Sequence, residues 1–176
     1  MGRITISNSE VHSLTIEAIT ENRPQSDLLL TIEGSRVVGF GGGPLINIPQ
    51  GYTANSIIRV RLINNELSKQ AQGSGWSLIA VPSGVILEIR NNYIRTLPGF
   101  NTIIGLSQDL TSGFYEFSEN TVEPMTQPTY LLSGGVAISA PFIISGNKFL
   151  AQARLFKVAP TSQAGLSLAG NINLTT

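Results

Sequence analysis

The chain has no cysteine, a single histidine and few charges, and each scarcity closes off a class of chemistry. Without cysteine there is no disulfide, no thiolate metal site and no cysteine nucleophile. With His12 as the only imidazole, metal centres built on histidine are excluded by count. A Ser–His–Asp arrangement would have to recruit His12, for which a surface or edge position is the default. Charged residues make up 12 % of the chain, against roughly a quarter in ordinary soluble domains. Eleven basic residues balance eleven acidic ones, so neither nucleic acid nor an anionic membrane gains an electrostatic foothold. No apolar run approaches the ~18 residues of a membrane span. The amino terminus lacks the basic start and apolar core of a signal peptide, so an exported protein would here be a mature form with an added Met1.

What the chain does hold is hydroxyl, amide and glycine, as in many secreted β proteins. Its 176 residues suit one domain with a sizeable core. Apolar and polar residues alternate in many short runs: Leu28 to Ile32, Arg36 to Phe40, Ser56 to Ile63, Trp76 to Val81, Val85 to Arg90, Phe114 to Phe117 and Phe149 to Leu155. The turns Pro82-Ser83-Gly84 and Gly146-Asn147 read as hairpin signals. Asn64 to Gln72 is the one stretch with adequate helix formers, ending before Gly73. Short strands, frequent turn residues and no sustained helical period argue for an antiparallel β-sandwich.

Chemistry-bearing residues are sparse. Gly41-Gly42-Gly43-Pro44 is glycine-rich, but a phosphate loop needs a Lys-Ser/Thr and a helix after its last glycine, and here a strand follows. Arg59 and Arg61 share a strand face that could hold an anion, although solvated edge residues are commoner. Glu116, Glu119 and Glu123 are close in sequence and could supply a carboxylate pair for hydrolysis; a solvated acidic loop is the plainer reading, and calcium loops need denser oxygen ligands. Ser167 lies inside an alternating strand, away from the strand-to-helix turn a nucleophile elbow requires. Trp76 reads as a core anchor. No constellation meets the geometric roles of an active site, and the expectation is a protein with no catalytic residues, no metal site and no cofactor.

The two ends of the chain are both alternating strands. At the amino end Ile4 and Ile6 share a face with Asn8, and Val11 opens a second run. At the carboxyl end Leu166, Leu168, Gly170, Ile172 and Leu174 alternate with polar or small residues. With Gly2, Ala153-Arg154-Leu155 and Gly165, this order of residues resembles a subunit of the chaperone–usher pili (fimbriae) of Gram-negative bacteria. The chain departs from that family in having Leu14-Thr15 where a first cysteine is common, and Leu174-Thr175-Thr176 where an aromatic is common.

The resemblance implies an all-β, immunoglobulin-like β-sandwich of the pilin type, lacking one strand of its own and completed by a donor strand. Residues 1–12 would be the donor-strand extension and 13–176 the single pilin domain. Ile4, Ile6, Asn8 and Val11 would bind a neighbouring subunit, whose acceptor groove is lined by the counterparts of Leu166, Leu168, Ile172 and Leu174. It further implies head-to-tail polymerisation by strand addition, a periplasmic chaperone and an outer-membrane usher as partners, a host glycan or protein receptor, and an extracellular fimbria on the bacterial surface. The competing expectation is a viral or phage jelly-roll surface protein that trimerises and binds glycans, motivated by low charge and by Trp76, Tyr52 and Tyr93.

Overall fold

The computed structural model describes residues 2–12, 14–15, 27–40, 43–48, 57–70, 77–96, 102–124 and 128–176. Strands Gly2–Ser7, Leu28–Glu33, Ile58–Ile63, Val85–Arg90, Phe114–Ser118, Phe142–Ser145 and Leu166–Ala169 stack in chain order into a seven-stranded sheet, the first face. The second face stacks Glu10–His12, Arg36–Phe40, Glu66–Gln70, Tyr93–Thr96, Thr121–Pro124 and the start of Lys148–Phe156. A third run stacks Leu14–Thr15, Ile46–Asn47, Ser77–Val81, Thr102–Leu106 and Thr129–Ser133. The nine-residue strand Lys148–Phe156 is long enough to pair with both runs, and Ile172–Thr175 pairs with its other edge, which merges them all into one twelve-stranded sheet.

Every strand pairing is parallel. The chain is a parallel β-solenoid: each coil visits the faces in turn and returns one strand spacing further along. This corrects the expected immunoglobulin-like antiparallel sandwich, and the jelly roll with it. Alternation had marked the strands correctly, but it carries no information about strand direction. The signals taken for hairpins are coil corners: Val85–Arg90 and Ser77–Val81 lie in different sheets, as do Phe142–Ser145 and Lys148–Phe156. The segment expected to be helical holds a corner at Asn64-Asn65 and the strand Glu66–Gln70; its helix formers are overridden by tertiary pairing on both sides.

The core is built of stacked columns. Leu30, Val60, Leu87, Tyr115 and Phe142 are in register across the first face, as are Ile32, Leu62, Ile89, Phe117 and Ile144, and none exceeds 2 % exposure. Burial of each such side chain stabilises the fold by roughly 1.5–3 kcal/mol. Tyr115, the bulkiest of them, keeps its hydroxyl satisfied by donating to the carbonyls of Pro82 and Ser112 at 2.9 and 3.0 Å.

The corner between the first and second faces repeats in every coil. A residue in the left-handed region comes first: Asn8, Gly34, Asn64, Asn91, Glu119, Gly146 and Gly170, with φ between 49° and 64°. It aims the next residue, Ser9, Ser35, Asn65, Asn92, Asn120, Asn147 or Asn171, into a polar column. Asn65 shows the pattern: its main-chain N–H donates to Asn92 Oδ1 at 2.9 Å, and its Nδ2 donates both to that oxygen and to the Ile32 carbonyl of the previous coil. Asn92, Asn120 and Asn147 repeat it. Both amide hydrogens and both lone pairs of an inner asparagine are thereby used, so an amide can sit fully buried without leaving an orphaned group.

Candidate functional site

The outer faces carry charges that neutralise one another across neighbouring coils. On the first face Arg61 Nε meets Glu88 at 3.1 Å, and Arg90 pairs with Glu116, which also accepts from Ser118 Oγ at 2.8 Å. The Glu116 hydrogen bond raises the Arg90 pKa further above its ordinary value. On the second face Arg36 bridges Glu10 at 3.2 Å and Glu66 at 3.9 Å. Glu123 accepts from the Tyr93 hydroxyl and from Arg95 Nε, and these two bonds hold its carboxyl below the usual range. Register makes these pairs: Arg36, Arg61 and Arg95 stand directly beside a carboxylate on the adjoining strand, and Arg90 stands two positions from Glu116, on the same face.

This arrangement separates the candidate carboxylates. Glu116 is on the first face, Glu119 occupies the corner between faces, and Glu123 is on the second face, so the three do not converge. Arg61 is engaged by Glu88. His12 is exposed at one end of the stack beside Glu10, at 3.4 Å, while Ser167 is on the strand at the other end. The two cannot form a catalytic pair. Gly43 and Pro44 precede a short strand, Ile46–Asn47, where a phosphate loop would open a helix; Gly41 and Gly42, like Trp76 and Tyr52, lie outside the described residues. Among the described residues no group of His, Cys, Asp and Glu is arranged to hold a metal ion, and no helix is long and apolar enough to cross a membrane. Lys69 is buried, and desolvation lowers its pKa.

A cleft of about 380 Å³ runs across the third run of strands, with Asn47, Ala80, Gly105 and Ser133 aligned on adjacent coils. Its lining is small and uncharged. Gly105, one of its lining residues, is tightly packed: a Cβ there would fall 2.3 Å from Ser77 Oγ.

The residues expected to join subunits are placed at opposite ends of the solenoid. Gly2–Ser7 pairs with Leu28–Glu33 of the same chain, so Ile4 stacks on Leu30 and Ile6 on Ile32. Asn8 is a corner residue and Val11 stacks on Val37. Leu166 and Leu168 stack on Phe142 and Ile144 at the far end. Ile172 is beside Lys148 with its side chain outside, and Leu174 is partly buried. In inner coils the corresponding first-face positions are shut off from water. At the ends Ile4 is 51 % and Leu168 40 % exposed, with no strand among the described residues stacked beyond either.

The ends differ in their protection. Sheet edges are usually guarded by charge, proline or a covering segment. Residues 158–176 carry no charged side chain, and strand Leu166–Ala169 faces outward with no strand beyond it among the described residues. On the second face Ile172–Thr175 covers Lys148–Phe156, with Asn173 Nδ2 and Thr175 Oγ1 donating inward to the Phe149 and Ala153 carbonyls at 2.9 and 3.1 Å.

Fold and edges together define a parallel β-solenoid in which, among the described residues, Gly2–Ser7 and Leu166–Ala169 are the outermost first-face strands and both are pairing-competent. No protein-family model, curated protein or solved structure matches the chain. The polar column was missed by sequence reasoning, although a signal for it exists. A turn residue, then Asn or Ser, then any residue, then an apolar one recurs at Asn8-Ser9-Glu10-Val11, Gly34-Ser35-Arg36-Val37, Asn64-Asn65-Glu66-Leu67, Asn91-Asn92-Tyr93-Ile94, Glu119-Asn120-Thr121-Val122 and Gly146-Asn147-Lys148-Phe149. Its spacing wanders between 26 and 30 residues, which hides it from a search at fixed period.

Proposed function

We propose that this chain is a non-enzymatic structural protein that polymerises by stacking its solenoid end to end into an extended fibre. The observation that carries the reading is the pair of first-face edges that no strand covers among the described residues, with Ile4 and Ile6 on one and Leu166 and Leu168 on the other. Each ends an apolar column that is buried everywhere inside the stack. Covering both edges removes exposed apolar area and fills unmade ladder bonds. The ion pairs of the outer faces support the same reading, since among the described residues they leave no convergent acid, base and nucleophile.

Of what the fimbrial resemblance implied, the head-to-tail polymer is retained and the inserted donor strand is not. Gly2–Ser7 is already the first coil of its own stack, and a solenoid of this kind has no half-empty sandwich for a chaperone to hold.

Sedimentation and negative-stain electron microscopy of the purified chain test the proposal. Rods that lengthen with protein concentration and keep a constant width are expected. High salt should leave them intact, because the Leu166–Ala169 edge carries no charge to screen. A monomer at all accessible concentrations would defeat the reading.

A further inference from the structure

We infer that the partner at each end is a second copy of this chain, bound head to tail in continuous register, with the Gly170-Asn171 corner of one copy docking on the Ser7–Ser9 corner of the next. The inference rests on the end-to-end reading and adds which edge meets which. Its basis is a pair of acceptors at the head that repeats an occupied pair inside the stack. In the coil that follows the head, the Glu33 carbonyl accepts the Asn8 N–H at 3.1 Å and the Ser35 hydroxyl at 3.0 Å, and Ser35 Oγ accepts the Ser9 N–H at 3.2 Å. At the head itself the Ser7 carbonyl accepts the Ser9 hydroxyl at 2.8 Å. That is the same carbonyl–hydroxyl pair, and no preceding coil among the described residues donates to it.

The matching donors are at the tail. In each coil the corner N–H donates to a carbonyl of the next coil, as Gly146 does to Ala169 at 2.9 Å, and the following N–H donates to the next polar side chain, as Asn147 does to Asn171 Oδ1 at 3.1 Å. Gly170 and Asn171 hold the same geometry, with Gly170 at φ 62°, and no further coil lies beyond them among the described residues. Placed by this corner, Leu166 meets Ile4 and Leu168 meets Ile6, extending the two apolar columns. Outside, Ser167 meets Thr5, and Ile172 meets Glu10, so no like charges oppose. Only head-to-tail stacking keeps the parallel pairing found throughout the chain; head against head would set Gly2–Ser7 antiparallel to itself. The contact is heterologous and does not close.

Mixing two edge-blocked variants tests this. Ile4→Lys blocks the head and Leu168→Lys the tail; both positions are already exposed, and circular dichroism checks that each variant folds as the wild type does. Light scattering should find each variant monomeric alone and a 1:1 heterodimer on mixing, which grows no further, while the wild type forms rods. If either variant alone forms a dimer, the contact joins like ends and the inference falls. It falls equally if the wild type assembles and the mixture stays monomeric, or if both variants assemble like the wild type. A monomeric wild type would instead remove the underlying end-to-end reading.

Discussion

The side chains of Asn92 and Asn120 are locked to each other across adjacent coils: Asn92 donates to Asn120 Oδ1 from its main-chain N–H at 2.9 Å and from Nδ2 at 3.0 Å. Asn120 Nδ2 in turn reaches the Ile89 carbonyl at 2.9 Å and Asn147 Oδ1 at 3.0 Å. Asn120 is fully buried, so these bonds have no water to replace them.

Asn120→Ala therefore strands two donors of Asn92 and the Ile89 carbonyl. Each orphaned buried group costs about 1–3 kcal/mol, and a loss near 3 kcal/mol is expected in urea denaturation. A loss below about 1 kcal/mol would mean that water enters the column and replaces the amide.

Glu119 is the one corner residue that is neither asparagine nor glycine, yet it sits at φ 57°. A side chain of that kind in the left-handed region is strained by about 1–2 kcal/mol. Glu119→Gly should raise stability by about 1 kcal/mol, after allowance for the greater freedom of glycine in the unfolded chain. Destabilisation by the same variant would show that the Glu119 carboxylate, rather than its backbone, matters to the corner.

Acid should weaken the second face through Glu123. Bonds from Tyr93 and Arg95 depress its folded-state pKa below the ordinary 4.5. The stabilisation is complete above that ordinary value and is lost as pH falls through the depressed one. In denaturation series from about pH 6 to about pH 2, wild type should lose more stability than Glu123→Gln, which has no proton to take up there. Parallel curves would rule out this contribution.

Ser9 offers a finer probe of the end contact than a blocked edge. Ser9→Ala removes only an exposed hydroxyl that bonds Ser7 within the chain. It should raise the critical concentration for rod formation about fivefold, the worth of one hydrogen bond of about 1 kcal/mol, with the monomer's melting curve unchanged. An unaltered critical concentration would place Ser9 outside the contact.

Much of the strand content was legible from alternation alone. The runs around Leu28–Glu33, Ile58–Ile63, Val85–Arg90 and Lys148–Phe156 all stand where the residues suggested. So was the presence of apolar strands at both chain ends, in Ile4 and Ile6 and in Leu166 and Leu168. Their role was harder to read. Asn-Asn or Gly-Asn between two strands turns the chain through a left-handed residue whether the next strand returns beside the last or departs onto another face, so Gly146-Asn147 looked like a hairpin. Glu116, Glu119 and Glu123 seemed a cluster because they are close in sequence; the corner at Glu119 puts them on separate faces.

The order of residues determined the strands, the corners and the supply of buried amides, because period-two burial and positive φ are local demands that individual side chains meet or fail. Only the tertiary structure decided that the strands run parallel. Parallel pairing joins residues a full coil apart, and an asparagine is worth burying only when the coils on either side supply its partners, a condition no local stretch of the chain contains.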